Sequence, residues 1–421
     1  MPAALPRAQQ TAILSRVQGP DSERSAAETG PLPRIPRDAQ DDHSSAAVAE
    51  RLALWQRTSG SAPRHVAGEP VPPSAARGKC ENLAGFAQVP LGIAGPLAVD
   101  TGAGRREVYV PMATTEGAMV ASYSRGMRLL AAGGGAWARV VREGLTQNPV
   151  LVHASAREAL AAAEVARAAR PELQALVATT TRHGALVDLR ASTIGRRLVL
   201  SLVFTTGDAI GINMAARAAE LVARDLGRRT GALEVHVHGQ DVEKRANARA
   251  LVEGRGRSAV AEAVVPRAAL AEIARTTPEA LVAILATYRV GFAELGTHNA
   301  LVQAANGLAA VMLACGQDVA YVTECATGQL DFAVTPAGDL HASVHLPSLL
   351  VGTVGGGSQQ GTAAECLALL GCAGPGSANV FAEILAATVL AGDLSLMAAF
   401  TAGEFVAAHE RLGRNRPAGG P

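Results

Sequence analysis

Leu198-Val-Leu-Ser-Leu-Val-Phe204 runs through Thr205 and Thr206 into Gly207-Asp-Ala-Ile-Gly211, and a segment with Met214, Leu221, Val222 and Leu226 at helical spacing follows. The Leu- and Val-rich run predicts a strand, the later spacing a helix. A glycine turn between the two puts backbone N–H groups at a helix N-terminus, where an anion can bind. The turn lacks the G-x-G-x-x-G of an ordinary Rossmann crossover. The nearest look-alike, Gly254-Arg-Gly256-Arg-Ser-Ala259, follows no clear strand. Working outward, the chain from Gly78 alternates short apolar runs punctuated by Gly and Pro with helical stretches such as 117–130. It reads as mixed α/β (α+β) without repeats. Near the C-terminus, Leu394 to Leu412 predicts a helix with Met397, Phe400 and Phe405 on its apolar face, ended by Gly413 and Pro417.

At 421 residues the chain has room for two or three domains of ~150 residues. Its 38 Lys plus Arg balance 37 Asp plus Glu, which removes the electrostatic case for nucleic acid or an anionic membrane as partner. No uninterrupted apolar run reaches the ~20 residues of a membrane span, and no signal-peptide pattern opens the chain, so a cytoplasmic protein is expected. Five cysteines without close C-x-x-C pairs predict reduced thiols and no zinc knuckle. His236 and His238 share a strand face but lack a third ligand, and no metal is expected. Residues 1–43, rich in Pro and charge, read as a disordered tail. Residues 44–77 read as a helix with Val48, Leu52 and Trp55 on one face, followed by a Pro-rich linker.

Four polar residues sit among apolar or small neighbours, where a charge needs a reason: Glu116, Lys244, Asp318 and His409. Each has an ordinary alternative. Glu116 would serve as a cap near a helix start, Lys244 belongs to the solvated run Asp241-Val-Glu-Lys-Arg245, Asp318 is a turn residue, and His409 is a surface position. Their contexts decide otherwise. Val110-Pro-Met-Ala-Thr-Thr-Glu-Gly117, Asp208-Ala-Ile-Gly-Ile-Asn-Met214, Glu253-Gly-Arg-Gly256, Cys315-Gly-Gln-Asp318 and Gly352-Thr-Val-Gly-Gly-Gly357 occur in that order. Together they resemble the signature blocks of hydroxymethylglutaryl-CoA (HMG-CoA) reductase. Glu81-Asn-Leu-Ala-Gly85 and Pro90-Leu-Gly-Ile-Ala-Gly-Pro96 resemble that family's entry segment, so the likeness runs from about Gly78 to Pro417.

The resemblance implies a soluble catalytic portion of the eukaryotic and archaeal type, without that class's membrane anchor. It implies a large substrate domain (78–147 and 238–421) interrupted by a small ferredoxin-like cofactor domain (148–237), and an active site completed between two subunits of a homodimer or larger even assembly. It makes Glu116, Lys244, Asp318 and His409 the catalytic set. It puts NADPH against Arg182, Asp208, Gly211, Asn213, Met214 and Arg414, and the acyl-CoA substrate against Ser122, Arg125, Gln147, His238 and Arg245. The chemistry suits these residue types. Reducing a thioester to an alcohol takes two hydride transfers, each of which puts negative charge on a carbonyl oxygen that a fixed cation such as Lys244 stabilises. A neutral carboxylic acid, Glu116, can protonate the alkoxide, with Asp318 as the second carboxylate coupled to it. An imidazolium, His409, near a helix C-terminus, can protonate the expelled thiolate.

Several specificity positions depart from the family pattern. Gln147 stands where relatives carry an arginine that grips the substrate carboxylate, Thr287 where a lysine is expected with Arg289 two residues on, and His238 and Gln240 where relatives have serine and asparagine. Two enzyme readings follow, conversion of HMG-CoA to mevalonate or reduction of a related acyl-CoA. A third reading is a catalytically silent oligomeric binding protein that kept the fold.

Overall fold

In the computed structural model, which describes residues 31–237, 244, 248–297 and 299–403, the ends of the first helix, α1 (Ser45–Ser59), follow from their residue types. The Ser44 hydroxyl accepts the Ala47 N–H at 3.2 Å, and Gly60 closes the helix in the left-handed region at φ 75°. Residues 34–43, assigned by composition to the tail, are tied to α1. Arg51 donates to the carbonyls of Pro36 at 3.0 Å and Asp42 at 2.8 Å and pairs with the Asp42 carboxylate. A guanidinium that satisfies carbonyls supplies the order that apolar burial does not.

The chain continues through β1 (Leu91–Thr101), β2 (Gly104–Ala113), α2 (Met119–Ala132), β3 (Ala136–Gln147), β4 (Val150–Val152), α3 (Ala156–Ala168) and α4 (Arg170–Ala178). Next come β5 (Leu186–Ile194), β6 (Arg197–Phe204), α5 (Ile212–Thr230), β7 (Glu234–His236), β8 (Gly256–Val265) and α6 (Pro278–Glu294). Last are α7 (Ala304–Ala314), β9 (Gln329–Val334), β10 (Leu340–Leu349), α8 (Gly361–Leu369) and α9 (Ala378–Thr401). The predicted strand and helix around the glycine turn are β6 and α5. The fold is mixed α+β, and its sheet is antiparallel except where Val99 of β1 runs parallel to Ala136 of β3.

β3 joins two halves of the sheet. Its residues 137–144 pair with β8, which continues to β10 and β9, while residues 145–147 pair with β6. At the changeover a Cβ on Gly144 would stand 2.6 Å from the Val203 Cγ1, so β3 needs glycine there to reach its second partner. Beyond it the strand order is β7-β4-β6-β5, with α3 and α4 between β4 and β5 and α5 between β6 and β7. This is a split β-α-β-β-α-β arrangement.

The other half packs on α9, which touches α2, β3, β8 and β10. With 24 residues it is long and apolar enough to cross a membrane, but this helix is buried as the core of the fold. The predicted helix Leu394–Leu412 is corrected at both ends. α9 begins at Ala378 and stops at Thr401, with Gly403 at φ 65°, and Phe405 lies outside the described residues. Two buried carboxylates interrupt the apolar pattern of α9 ahead of Leu394. Glu383 accepts the N–H groups of Gly102 and Val140, each at 2.9 Å, and Asp393 accepts that of Gln303 at 2.6 Å. Burial raises both acids, Asp393 to about 7. All five cysteines are unpaired, and four are buried.

Candidate active site

Asp318 is delivered by a turn that only glycine permits. Gly316, just past α7, has φ 66°, and a Cβ there would stand 2.5 Å from the Gly357 carbonyl, so the Cys-Gly-Gln-Asp block lies backbone to backbone against Gly352–Gly357. Gln317 locks the two together, accepting the Gly352 N–H at 2.9 Å and donating to the Cys315 carbonyl at 2.9 Å. Asp318 then accepts the Ala320 N–H at 3.0 Å through Oδ1 and pairs with Lys244 Nζ at 3.2 Å through Oδ2. Lys244 adopts φ 55°, a left-handed conformation that costs a residue with a Cβ ~1–2 kcal/mol. Glu324 holds it there by accepting its backbone N–H. Glu324 is in turn gripped by Arg255 through two bonds, Nε to Oε2 at 2.7 Å and one from a terminal nitrogen to Oε1 at 2.9 Å, with the side chains 3% and 2% exposed. The Tyr321 ring lies 4.9 Å from Lys244 Nζ and 5.6 Å from the Arg255 guanidinium. A half-exposed ammonium is thus seated on a buried, paired base.

Glu116 lies on the loop between β2 and α2, where its N–H donates to Thr114 Oγ1 at 3.0 Å. Ala118, the next turn, has φ 66°. The Glu116 carboxylate is exposed and accepts a 2.6 Å bond from Asn306 Nδ2. Asn306 belongs to the first turn of α7, so one helix carries the contact to Glu116 at its start and leads to Asp318 at its end. Ser122 and Arg125, on α2, are joined to α9. Ser122 lies 3.1 Å from Ser395 Oγ, and Arg125 donates to Ser395 Oγ at 3.0 Å and to its carbonyl at 2.7 Å. Glu116, Arg125, Arg128, Arg51, Trp55 and Val89 are among the residues that line a cavity of about 1490 Å³. That volume exceeds the ~300–1,000 Å³ of an ordinary small-molecule pocket and suits an extended ligand.

The glycine turn after β6 is a second region of interest. Gly211 opens α5 at φ 78° with no side chain capping the helix, which leaves N–H groups of its first turn for an outside acceptor. Asn213 is exposed there. The exposed Arg182 sits on the neighbouring turn, where a Cβ on Gly184 would stand 2.4 Å from the Thr205 carbonyl and 2.6 Å from Met214 Cε. Asp208 has other work in the protomer. Its carboxylate accepts the N–H groups of Gly376 at 2.8 Å and Ala378 at 3.1 Å, capping α9, and its carbonyl accepts that of Thr353 at 2.9 Å. Gly352 admits this contact, since a Cβ there would stand 2.8 Å from the Asp208 carbonyl.

Gln147 is 1% exposed at the end of β3, opposite Leu202. Its neighbours Thr146 and Asn148 line a small cavity with Arg249, Arg255, Glu324 and Ser348. Arg289 does not reach this region as a free cation, because it donates to the Leu330 carbonyl and pairs with Asp331 at 3.6 Å. His238, Arg245, His409 and Arg414 lie outside the described residues. His236 pairs with Glu234 at 2.9 Å. Sequence reasoning missed Asn306, the Arg255–Glu324 pair and Asp393. The test that singled out Glu116, a charge among apolar neighbours, applies equally to Glu324 and Asp393.

A cation paired with a carboxylate is equipment for polarising a carbonyl, and a second carboxylate, lining a large cavity that Lys244 and Asp318 do not line, is equipment for moving a proton. The chain belongs to the hydroxymethylglutaryl-coenzyme A reductase family, whose sequence profile matches residues 47–414. It is 38% identical over 397 residues to the 3-hydroxy-3-methylglutaryl-coenzyme A reductase of Pyrococcus abyssi, covering 91% of this chain and 96% of that protein. The enzyme of the same name from Methanothermobacter thermautotrophicus is 40% identical over 372 residues, covering 87% and 94%. In fold the chain resembles the class II 3-hydroxy-3-methylglutaryl-CoA reductase of Streptococcus pneumoniae solved bound to NADPH, with a TM-score of 0.70 at 21% identity, covering 84% of this chain and 96% of that one.

Proposed function

We propose that this protein reduces 3-hydroxy-3-methylglutaryl-CoA to mevalonate in the cytoplasm, consuming two NADPH and releasing CoA. The observation that carries the reading is the 3.2 Å pair between Lys244 Nζ and Asp318, seated on the buried Arg255–Glu324 base. Bound NADPH supplies the hydride in both steps. Lys244 faces the substrate carbonyl oxygen and stabilises the negative charge that grows on it, first at the thioester and then at the aldehyde. Asp318 fixes the ammonium. Once the C–S bond breaks, His409 protonates the departing thiolate, and Glu116 protonates the final alkoxide.

The uncapped start of α5, with Gly211, Asn213 and Met214 and with Arg182 on the adjoining turn, suits a dinucleotide phosphate. Arg414 is assigned to the extra phosphate of NADPH, because a guanidinium donates in pairs. These residues other than Arg414 belong to a cofactor module of about 148–237, held within a substrate module of 78–147 and 238–421. Ser122, Arg125, His238 and Arg245 are assigned to the acyl-CoA, and a second copy of the chain completes each site. Asp208 is kept in the cofactor region as the residue that fixes its turn to α9.

One observation favours a second reading, reduction of a related acyl-CoA. Gln147 brings no charge and is buried, and Arg289 is engaged elsewhere. A thioester panel separates the two. Purified protein with NADPH is given 3-hydroxy-3-methylglutaryl-CoA, succinyl-CoA and acetyl-CoA, and CoA release is followed. The leading reading expects the first to give the highest kcat/KM, with mevalonate as product. Preference for another thioester by more than about tenfold would replace it with the second.

A further inference from the structure

We propose that Asp393 is a positioning residue for the thioester reduction: it fixes the first turn of α7 and, through Asn306, the carboxylate of Glu116. The proposal rests on the function assigned above but stands on its own geometry. Gln303, the residue before α7, has no side-chain bond that caps the helix. The cap comes from α9 instead. Asp393, fully buried, faces the successive N–H groups of Val302, Gln303 and Ala304 and accepts that of Gln303 at 2.6 Å. A carboxylate at a helix N-terminus satisfies orphan donors and complements the helix dipole.

Two further contacts grip the same residue. Tyr123 Oη donates to the Gln303 carbonyl at 2.7 Å, and Ser122 Oγ donates to Gln303 Oε1 at 3.3 Å. Tyr123 fits between α7 and α9 only because both helices present glycine to it. A Cβ on Gly307 would stand 2.0 Å from its hydroxyl oxygen, and one on Gly392 2.4 Å from its ring. Asn306, within the same turn, then donates to Glu116 Oε2 at 2.6 Å. Glu116 is on an exposed loop, so this bond and the turn behind it set where its carboxylate points. A serine or aspartate at position 303 would cap α7 from within the chain. The use of a buried acid from the core helix instead ties the position of Asn306 to the core.

The test compares Asp393→Asn, Asn306→Ala and the double variant with wild type. Asp393→Asn keeps the shape but turns an amide toward backbone donors, so kcat falls about tenfold while both KM values stay within about twofold. Asp393→Glu, which keeps the charge, recovers most of the loss. The double variant is no slower than Asn306→Ala alone, because the two residues act in series. Losses that multiply, or an Asp393→Asn variant with wild-type kcat, overturn the proposal. Should Asp393→Asn not fold, Tyr123→Phe removes the shorter of the two other grips on Gln303, and the same non-additivity with Asn306→Ala is required. If the wild type reduces no thioester, the assigned function fails while this proposal is still tested. The infrared carboxyl band of Glu116, identified with Glu116→Gln, shifts in Asp393→Asn if the proposal holds and stays in place if it does not.

Discussion

At the C-terminal end of α7, Asp318 meets a lysine seated on a buried ion pair, whereas at the N-terminal end Asn306 meets a glutamate on an exposed loop. The first arrangement is rigid because breaking it strands charge. Arg255 and Glu324 are each almost without solvent, and Lys244 is kept in a left-handed conformation by the same carboxylate. The second depends on hydrogen bonds and a helix cap, contacts that are weaker one by one. The difference matches the two tasks assigned to the ends. A cation that stabilises an oxyanion gains from being preorganised. An acid that gives up and regains a proton in each turnover has to tolerate both charge states.

The comparison is broken most severely by Lys244→Ala, which is expected to lower kcat by about 10³-fold or ~4 kcal/mol, with NADPH affinity by fluorescence titration nearly unchanged. Glu324→Gln attacks the base beneath the lysine. It leaves the Arg255 guanidinium buried without its countercharge and is expected to cost about 3 kcal/mol of stability by urea unfolding. At the other end Asn306→Ala removes a single bond to Glu116, and a loss of about tenfold in kcat, ~1.4 kcal/mol, is expected with little change in melting temperature.

The smallest effect is on pH dependence. Burial raises Asp393 to about 7 from an ordinary 3.8, so the folded state holds its proton more tightly than the unfolded chain. Stability from this group is complete below pH ~4 and is lost as pH rises through 7. Tyr123, which faces it from α2, has its own pKa raised well above the ordinary tyrosine value by burial and by Asp393, and does not titrate in this range. Wild type should therefore lose about 1 kcal/mol relative to Asp393→Asn between pH 6 and pH 8. A constant gap would mean that Asp393 is not protonated at pH 6.

Much of the C-terminal arrangement was legible in the sequence. Asp318 is a charge among small or apolar residues, Lys244 stands out of its charged run through the family resemblance, and Gly316 and Gly352 announce turns and close backbone approach. The strand, turn and helix from Leu198 to Leu226 were equally plain, because strand and helix periods change at a glycine pair. The N-terminal arrangement was not. Asn306 is a neutral residue inside an apolar helix, and its partner Glu116 is 190 positions away, a contact no local pattern encodes. Asp393 did worse than escape notice. The predicted helix starts only after it, at Leu394, and so leaves out the first part of α9. Asp208 was legible as a special position, but its bonds to Gly376 and Ala378 belong to the tertiary fold.

The most direct test of the account is a count of nicotinamide against thiol. With limiting 3-hydroxy-3-methylglutaryl-CoA and excess NADPH, the absorbance lost and the CoA released are measured in one sample, and mevalonate is quantified. The account predicts two NADPH oxidised for each CoA, with mevalonate equal to CoA. One NADPH per CoA with aldehyde accumulating, or bound NADPH with no CoA released, would contradict it.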